Sequence, residues 1–245
     1  MNFKENDFLY IEYDLIDKDA NRMVSTTNEE KAKQEKIYKP DMKYGKTLFI
    51  IGSPQNVKGL NREIANMNLN ESKKIELAPE EAFGEYNKDL VKVMHLSDFK
   101  SHEISPYPGL KVNIDNTIGT VKTVNSGRVI VDFNNDLAGK KIEYNVKILE
   151  KINSDADKIK ALADSNDIAV DKVDVNNGSA EIFFGGKINK YREEFIVRKQ
   201  YLLMYVFTYM PDIRKVVIKE EYERDNAISQ DNENEAHEHH HHHHD

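Results

Sequence analysis

Histidine is the residue type whose spacing here speaks most directly of chemistry. Seven of the nine histidines crowd into Ala236-His-Glu-His-His-His-His-His-His-Asp245, as His237, His239, His240, His241, His242, His243 and His244. Neutral imidazole is a good ligand for nickel, zinc and copper, so this stretch is expected to hold physiological or adventitious nickel or zinc. Two origins stay open. Six consecutive histidines read as an expression tag, whereas the trailing Asp245, the preceding His237-Glu238 and the absence of a linker read as a natural tail. No cofactor is expected to be required for the main activity. His95 and His102 stand alone and read as surface or packing residues. With no cysteine in the chain, thiol nucleophiles, disulfides and cysteine-bearing zinc sites are excluded, which fits a reducing compartment.

Charge narrows the partners. The formal net charge is -8, and five acids without a basic residue fall in the last stretch (Asp231, Glu233, Glu235, Glu238 and Asp245), leaving about -3 for the rest. Nucleic acid needs clustered positive charge, and lysine and arginine are scattered here as on a solvated surface, so nucleic acid is not an expected partner. The start MNFKENDFLYIEYDL carries charges throughout and offers no secretory core. The densest apolar run, Tyr201 to Phe207, is too short to cross a bilayer, so a cytoplasmic protein without a membrane partner is expected. At 245 residues the prior is two or three domains.

The elements that position any site follow from periodicity. Residues 7–15, DFLYIEYDL, alternate as a strand with Leu9, Ile11, Tyr13 and Leu15 on one face. A short polar helix is expected near Glu29 to Lys36, and a short buried strand over Thr47 to Ile51. Leu60, Ile64 and Met67 recur at helical spacing in a short amphipathic helix, and Ser72 to Leu77 returns to strand alternation. After Tyr86 come a helical turn near Ser97 to His102 and strand-like pieces at Leu110–Ile114, Thr120–Val124 and Arg128–Phe133, the last two joined by Asn125-Ser126-Gly127. Beyond Ile152 a helix through Ala156, Ile159 and Leu162 precedes two strands, Ile168 to Val175 and Ala180 to Phe184, around Asn177-Gly178. A long helix from about Asn189 to Met210 and a strand from Val216 to Tyr222 complete the pattern. The stretch VDFNNDLAGKKIEYNVKI, 131–148, reads as one strand, a turn of Asn, Asp and Gly, then a second strand, so the chain leaves one sheet there and enters another.

The ordered series Tyr13, Val24-Ser-Thr-Thr27, Ile51-Gly52, Val57-Lys-Gly-Leu60, Pro79-Glu-Glu-Ala-Phe-Gly84 and Asp132-Phe-Asn-Asn-Asp-Leu-Ala-Gly-Lys140 resembles the FKBP-type peptidyl-prolyl cis-trans isomerases. More narrowly it is similar to the SlyD-like branch, and to its long archaeal members with insert-in-flap and C-terminal domains. The resemblance covers residues 6–152 continuously. It implies an α+β fold: an FKBP-like antiparallel sheet wrapped on a short helix, with an inserted small β-rich domain and a C-terminal α/β (αββαβ) domain. The domains would be 1–86 plus 138–152 for the isomerase, 87–137 for the insert and 155–225 for the C-terminal part, followed by a disordered acidic, His-rich tail over 226–245.

The implied chemistry asks for no proton donor or nucleophile. Rotation about an X-Pro bond faces a barrier of roughly 18–20 kcal/mol from amide resonance, and a dry pocket that favours the twisted amide lowers it. The resemblance casts Leu60 as the pocket floor, where many relatives carry Trp, and Phe83 at a position that is often Tyr. Tyr13, Phe49 and Tyr144 become walls, Val57 offers its backbone N–H to a substrate carbonyl, and Ser25 stands where many relatives carry Asp. Taken singly, each aromatic reads as an ordinary core residue. Val24 with Val91, Leu96, Phe99, Leu110 and Ile130 of the insert are the expected substrate-binding positions, although most of the insert's set would also serve its core. The expected partners are unfolded or partly folded proteins containing X-Pro bonds. The apolar run Tyr201 to Phe207 covers every side of its helix, which suits burial within its own domain or a homodimer through the C-terminal domain. Two functions follow: a folding isomerase with chaperone activity, or a holdase whose isomerase pocket is weak or lost.

Overall fold

The computed structural model describes residues 2–185 and 193–221. They fall into two compact units, Met1–Ile152 and Asn153–Asp245. The first contains β1 (Phe8–Asp17), β2 (Arg22–Thr26), α1 (Glu29–Gln34), β3 (Thr47–Ile50), α2 (Lys58–Ala65), β4 (Ser72–Leu77), β5 (Val91–His95), α3 (Leu96–Ser101), β6 (Lys111–Ile114), β7 (Thr117–Asn125), β8 (Arg128–Asp132) and β9 (Ile142–Ile152).

Five of these strands make the main sheet, in the order β2-β1-β9-β4, with β3 pairing the start of β1. The alternation of β1 sends Leu9, Ile11 and Leu15 to the covered face, where Ile11 stands opposite Ile148 and Leu15 opposite Tyr144 of β9. Across that face lies α2, whose Leu60 and Ile64, with Met67 just beyond it, are buried. Each such side chain contributes about 1.5–3 kcal/mol of burial. Gly59 is the residue that permits the approach: a Cβ there would stand 2.5 Å from Leu77 Cδ2 and 3.0 Å from the Glu81 carbonyl.

Two buried carboxylates tie down the sheet's far end. Glu143 accepts from Lys18 at 2.8 Å and pairs with Lys74 at 3.1 Å, and the Lys18 bond holds its carboxyl below the usual range. Burial alone would raise Asp17. The Lys140 ammonium at 2.7 Å and the N–H groups of Ala20 and Asp19 outweigh it, so this carboxyl too is held low. A lowered folded-state pKa means that both carboxylates stabilise the fold above the ordinary carboxylate range, and that this contribution is lost as pH falls through the lowered values.

The chain leaves this sheet after Gly84 and returns at Ile142. Between lies a four-stranded sheet, β5-β8-β7-β6, closed by α3 over a core of Phe99, Val112, Val121, Val129 and Val131. Ser126 and Gly127 take positive φ in the β7–β8 turn. Gly119 packs so tightly that a Cβ would lie 2.5 Å from Val131 Cγ1 and 2.9 Å from the Phe133 ring. The two crossing segments are clasped together. Asn87 N–H donates to Asn134 Oδ1 and Asn134 Nδ2 donates back to the Asn87 carbonyl, both at 2.9 Å. Beside them the Tyr86 hydroxyl donates to Asp132 Oδ2 at 3.2 Å, and Gly139 N–H to the Gly84 carbonyl at 2.8 Å.

The second unit runs α4 (Asp155–Ser165), β10 (Lys172–Asn176), β11 (Ser179–Phe184), α5 (Glu193–Tyr209) and β12 (Lys215–Glu220). Here β10 pairs antiparallel with β11 through the Asn177-Gly178 turn, and β12 runs parallel to β11. Ile159, Leu162, Ile182 and Phe184 are buried with Phe195, Leu202 and Val206 of α5. The apolar run of α5 was expected to be covered on more than one side. Its opposite side, with Ile196, Val197, Tyr201, Met204 and Phe207, is exposed. The expected helix start near Asn189 and the tail fall outside the described residues. No described helix is long and apolar enough to cross a membrane.

Gly119→Ala tests the packing of the four-stranded sheet. Over-packing costs about 1–3 kcal/mol, so amide exchange at Val129 and Val131 should accelerate about 10- to 100-fold while that at Ile11 and Ile148 is unchanged.

Candidate functional site

One aromatic and aliphatic cluster joins the main sheet, α2 and the Pro79–Gly84 turn. Phe49 from β3, Leu60 from α2 and Tyr144 from β9 lie inside it, at 6%, 5% and 5% exposure. Tyr13, Val24, Val57 and Phe83 pack against it while remaining half-buried. The two tyrosines meet edge to face, with ring centroids 5.8 Å apart and planes at 63°. All six expected aromatic and aliphatic pocket residues, and Val24 with them, therefore share one cluster.

Local hydrogen bonds hold each contributor. Tyr13 N–H donates to Thr27 Oγ1 at 3.0 Å and its carbonyl accepts from Thr27 N–H at 2.9 Å, which pins β1 to the Val24–Thr27 segment. Thr26 Oγ1 donates to Asp14 Oδ1 at 2.6 Å, and Lys31 pairs with the other oxygen at 2.7 Å. The loop before α2 is braced by Asn61, whose Oδ1 accepts from Gly52 N–H at 2.9 Å. Val57 is the N-cap residue of α2, and its N–H has no partner among the described residues. The turn that carries Phe83 closes through Gly84 N–H to the Pro79 carbonyl at 2.8 Å and is anchored to α2 by Arg62–Glu81 at 2.5 Å.

The arrangement is apolar, and among the described residues the Val57 N–H and the Ser25 hydroxyl, like the Tyr13 and Tyr144 hydroxyls, are unengaged. Ser25 sits on β2 opposite Leu15, half-buried, and its hydroxyl bonds to no other described residue. Burial, and then the neighbouring Tyr13, raise the Tyr144 phenol well above its ordinary value, so its proton is not available near neutrality. Such a site can exclude water from an apolar group and hold a carbonyl. A groove of about 690 Å3 that shares Tyr13 and Thr27 is walled mainly by charged and polar groups, among them Glu12, Asp14, Asn145 and Lys147, and does not exclude water in that way.

Comparison with known proteins bears on the same segments. The family described as FKBP26, IF domain, matches residues 92–137. The chain is 26% identical over 145 residues to the short-type peptidyl-prolyl cis-trans isomerase of Methanocaldococcus jannaschii, across 59% of this chain and 91% of the relative. It is 34% identical over 106 residues to the FKBP-type peptidyl-prolyl cis-trans isomerase SlyD of Helicobacter pylori, across 41% of this chain and 56% of that protein. The probable FKBP-type 16 kDa peptidyl-prolyl cis-trans isomerase of Pseudomonas fluorescens is 27% identical over 107 residues, across 42% of this chain and 70% of its own. Over residues shared with these relatives the chain is similar to FKBP-type peptidyl-prolyl cis-trans isomerases.

The expected substrate-binding residues of the insert divide. Phe99, at 4% exposure, is a core residue of the four-stranded sheet, because α3 folds over the sheet and presses its one large ring inward. Leu96 and Leu110 pack half-buried against that core. Val91 and Ile130 lie on the outer face, where Ile130 stands opposite Val93. Sequence reading passes over the most exposed apolar residues of this region, Val93 at 64% and Ile118 at 65%. The alternation Val91-Lys92-Val93 was the available signal for an edge strand with an apolar outer face. The seven tail histidines lie outside the described residues, and among those described no cluster of metal-ligating side chains occurs.

Tyr144 gives a pH signature. A raised phenol pKa contributes stability that is present below about pH 10 and lost as pH rises beyond it. The fall in urea midpoint between pH 8 and pH 10.5 should therefore be smaller in Tyr144→Phe than in the parent chain.

Proposed function

We propose that this protein is a peptidyl-prolyl cis-trans isomerase with chaperone activity that accelerates proline-limited folding. The observation that carries the reading is the gathering of Tyr13, Phe49, Val57, Leu60, Phe83 and Tyr144 into one cluster, with the unpartnered N–H of Val57 among them. Leu60 is the floor for the proline ring, Tyr13, Phe49 and Tyr144 are walls, and Val57 N–H holds the substrate carbonyl. Because Phe83 lacks a hydroxyl and Ser25 lacks a charge, stabilisation of the twisted amide comes mainly from desolvation and shape.

The clients are unfolded or partly folded proteins containing X-Pro bonds. The insert, 87–137, keeps them near the pocket formed by 1–86 and 138–152, as in the long archaeal SlyD-like proteins, with 155–225 as a further domain. The exposed Val93 and Ile118 and the half-buried Val91 and Ile130 supply its apolar surface. Uncatalysed proline steps last tens to hundreds of seconds, long enough for a tethered client to be turned over by a modest catalyst. The tail histidines bind nickel or zinc as an accessory property.

Refolding of a proline-limited client checks this reading. The full chain should accelerate the slow phase, and Phe83→Ala should lower kcat/KM on a proline peptide about 10- to 100-fold, a loss of about 1.4–2.8 kcal/mol of transition-state stabilisation. An unchanged slow phase with aggregation still suppressed, and catalysis appearing in Ser25→Asp, would favour the second reading, a holdase on an isomerase scaffold. The neutral Ser25 is the observation behind that alternative.

The exposed apolar side of α5 supports a homodimer through the C-terminal domain. Light scattering at micromolar concentration should give about twice the 28.4 kDa of one chain, falling to one chain in Met204→Glu/Phe207→Glu. A monomeric parent chain would exclude the dimer.

A further inference from the structure

The insert holds a cavity that none of these roles uses. It lies between α3 and the sheet, has a volume of about 230 Å3, and is lined by Met94, Phe99, Ile104, Val112 and Ile114. Phe99 and Val112 are buried and form its floor, while Met94, Ile104 and Ile114 are half-buried at its mouth. A dry apolar cavity of about 150 Å3 already accepts benzene. This one has room for a leucine, isoleucine or phenylalanine side chain. It opens on the side of the sheet away from Val93 and Ile130, since those two alternate with the core residues Met94, Val129 and Val131.

Its polar edge carries two carboxylates, Asp98 and Asp115, together with the His102 imidazole and the Asn113 amide. Asp115 opens the turn between β6 and β7, where it and Asn116 take φ of 49° and 61°, the left-handed pair of a tight hairpin turn that fixes its backbone. Asp98 lies in the first turn of α3, whose end is closed by Ser101 Oγ donating to the Asp98 carbonyl at 2.8 Å and by His102 Nδ1, 2.9 Å from the same oxygen. Neither carboxylate is ion-paired with a described lysine or arginine, and Lys111 at the far end of β6 is held by Asp136. An apolar socket is thus edged by two carboxylates that no described lysine or arginine neutralises.

We propose that this cavity is a side-chain socket for extended, unfolded segments in which one large apolar residue is flanked by lysine or arginine. The proposal rests on the reading of the insert as the part that holds clients, and adds to it a place and a sequence preference. The apolar residue enters over Phe99 and Val112, and the flanking cations meet Asp98 and Asp115. Proline plays no part in the recognition, so the socket holds the segment irrespective of where the X-Pro bond lies.

Three proline-free ten-residue peptides test it: a Gly/Ser host with a central Phe flanked by lysines, the same peptide flanked by glutamates, and the lysine peptide with Ser in place of Phe. Each is titrated into the full chain and followed by backbone amide shifts. The Lys-Phe peptide should shift Phe99, Ile104 and Ile114, the glutamate peptide should bind about fivefold or more weakly, and the Ser peptide should not bind. In Asp98→Asn/Asp115→Asn the preference should fall below about twofold while the need for Phe persists. Ile104→Trp, placed at the mouth, should block the Lys-Phe peptide without altering isomerisation of a proline tetrapeptide. Equal binding of the lysine and glutamate peptides, or shifts centred on Val93 and Ile130, would overturn the socket. Shifts of the cavity residues on concentrating the protein alone would assign it to a second copy of the chain, and overturn it equally. An unfolded proline-free protein titrated in the same buffer separates the levels: if it binds while the peptides miss the cavity, only the socket fails; if it does not bind, the client-holding reading fails as well.

Discussion

The pairing of β1 with β9 is the constraint on which the first unit depends. It joins Phe8–Asp17 to Ile142–Ile152, segments that more than a hundred residues separate, and places Leu9, Ile11, Tyr13 and Leu15 beside Tyr144, Val146 and Ile148. Closing so long a loop costs entropy that grows only slowly with length, so a well-matched register can carry a whole inserted sheet. The two strands also contribute both tyrosines of the site. Errors of one residue in that register would send one of them to the solvent face.

The charged groups of the unit are used for architecture, and the site is left to apolar side chains. Asp17 and Glu143 are buried on lysine partners at the end of the sheet, and Asp132 is buried at the neck of the insert. At the neck, burial opposes the ionised Asp132, yet the Asn134 side chain and N–H and the Tyr86 hydroxyl hold its carboxyl low. The reaction itself, rotation within an amide, calls for a shaped and dry surface with one or two donors, so the separation of charge from chemistry is physically consistent.

The insert is a small sheet with little to bury. Five residues, four valines from the sheet and Phe99 from α3, form its innermost core, while Val93, Ile118 and Tyr107 stay largely exposed. Limited burial in so small a unit leaves apolar surface at hand. The reciprocal Asn87–Asn134 bonds confine the connection to the sheet to two neighbouring chain segments.

The sequence alone determined the local order. Alternation in residues 7–15 and 142–148 marked strands, the Leu60-Ile64-Met67 spacing marked α2, and Asn177-Gly178 and Ser126-Gly127 marked turns, because side-chain periodicity and positive-φ residues act over a few neighbours. The order of motifs from Tyr13 to Lys140 was also legible, and with it the resemblance to FKBP-type isomerases. Tertiary structure decided what depends on distant partners. Edge strand β2 carries a weak local pattern and becomes a strand by pairing with β1, and the short alternation of β5 is completed by pairing with β8. Phe99 is core and Val93 surface because α3 covers one face of the sheet and leaves the other open, a choice that two equally apolar residues cannot express by themselves. The N–H of Val57 and the Ser25 hydroxyl, without partners among the described residues, and the acidic mouth of the insert's cavity likewise exist only once the chain is folded, since each is defined by which groups fail to reach it.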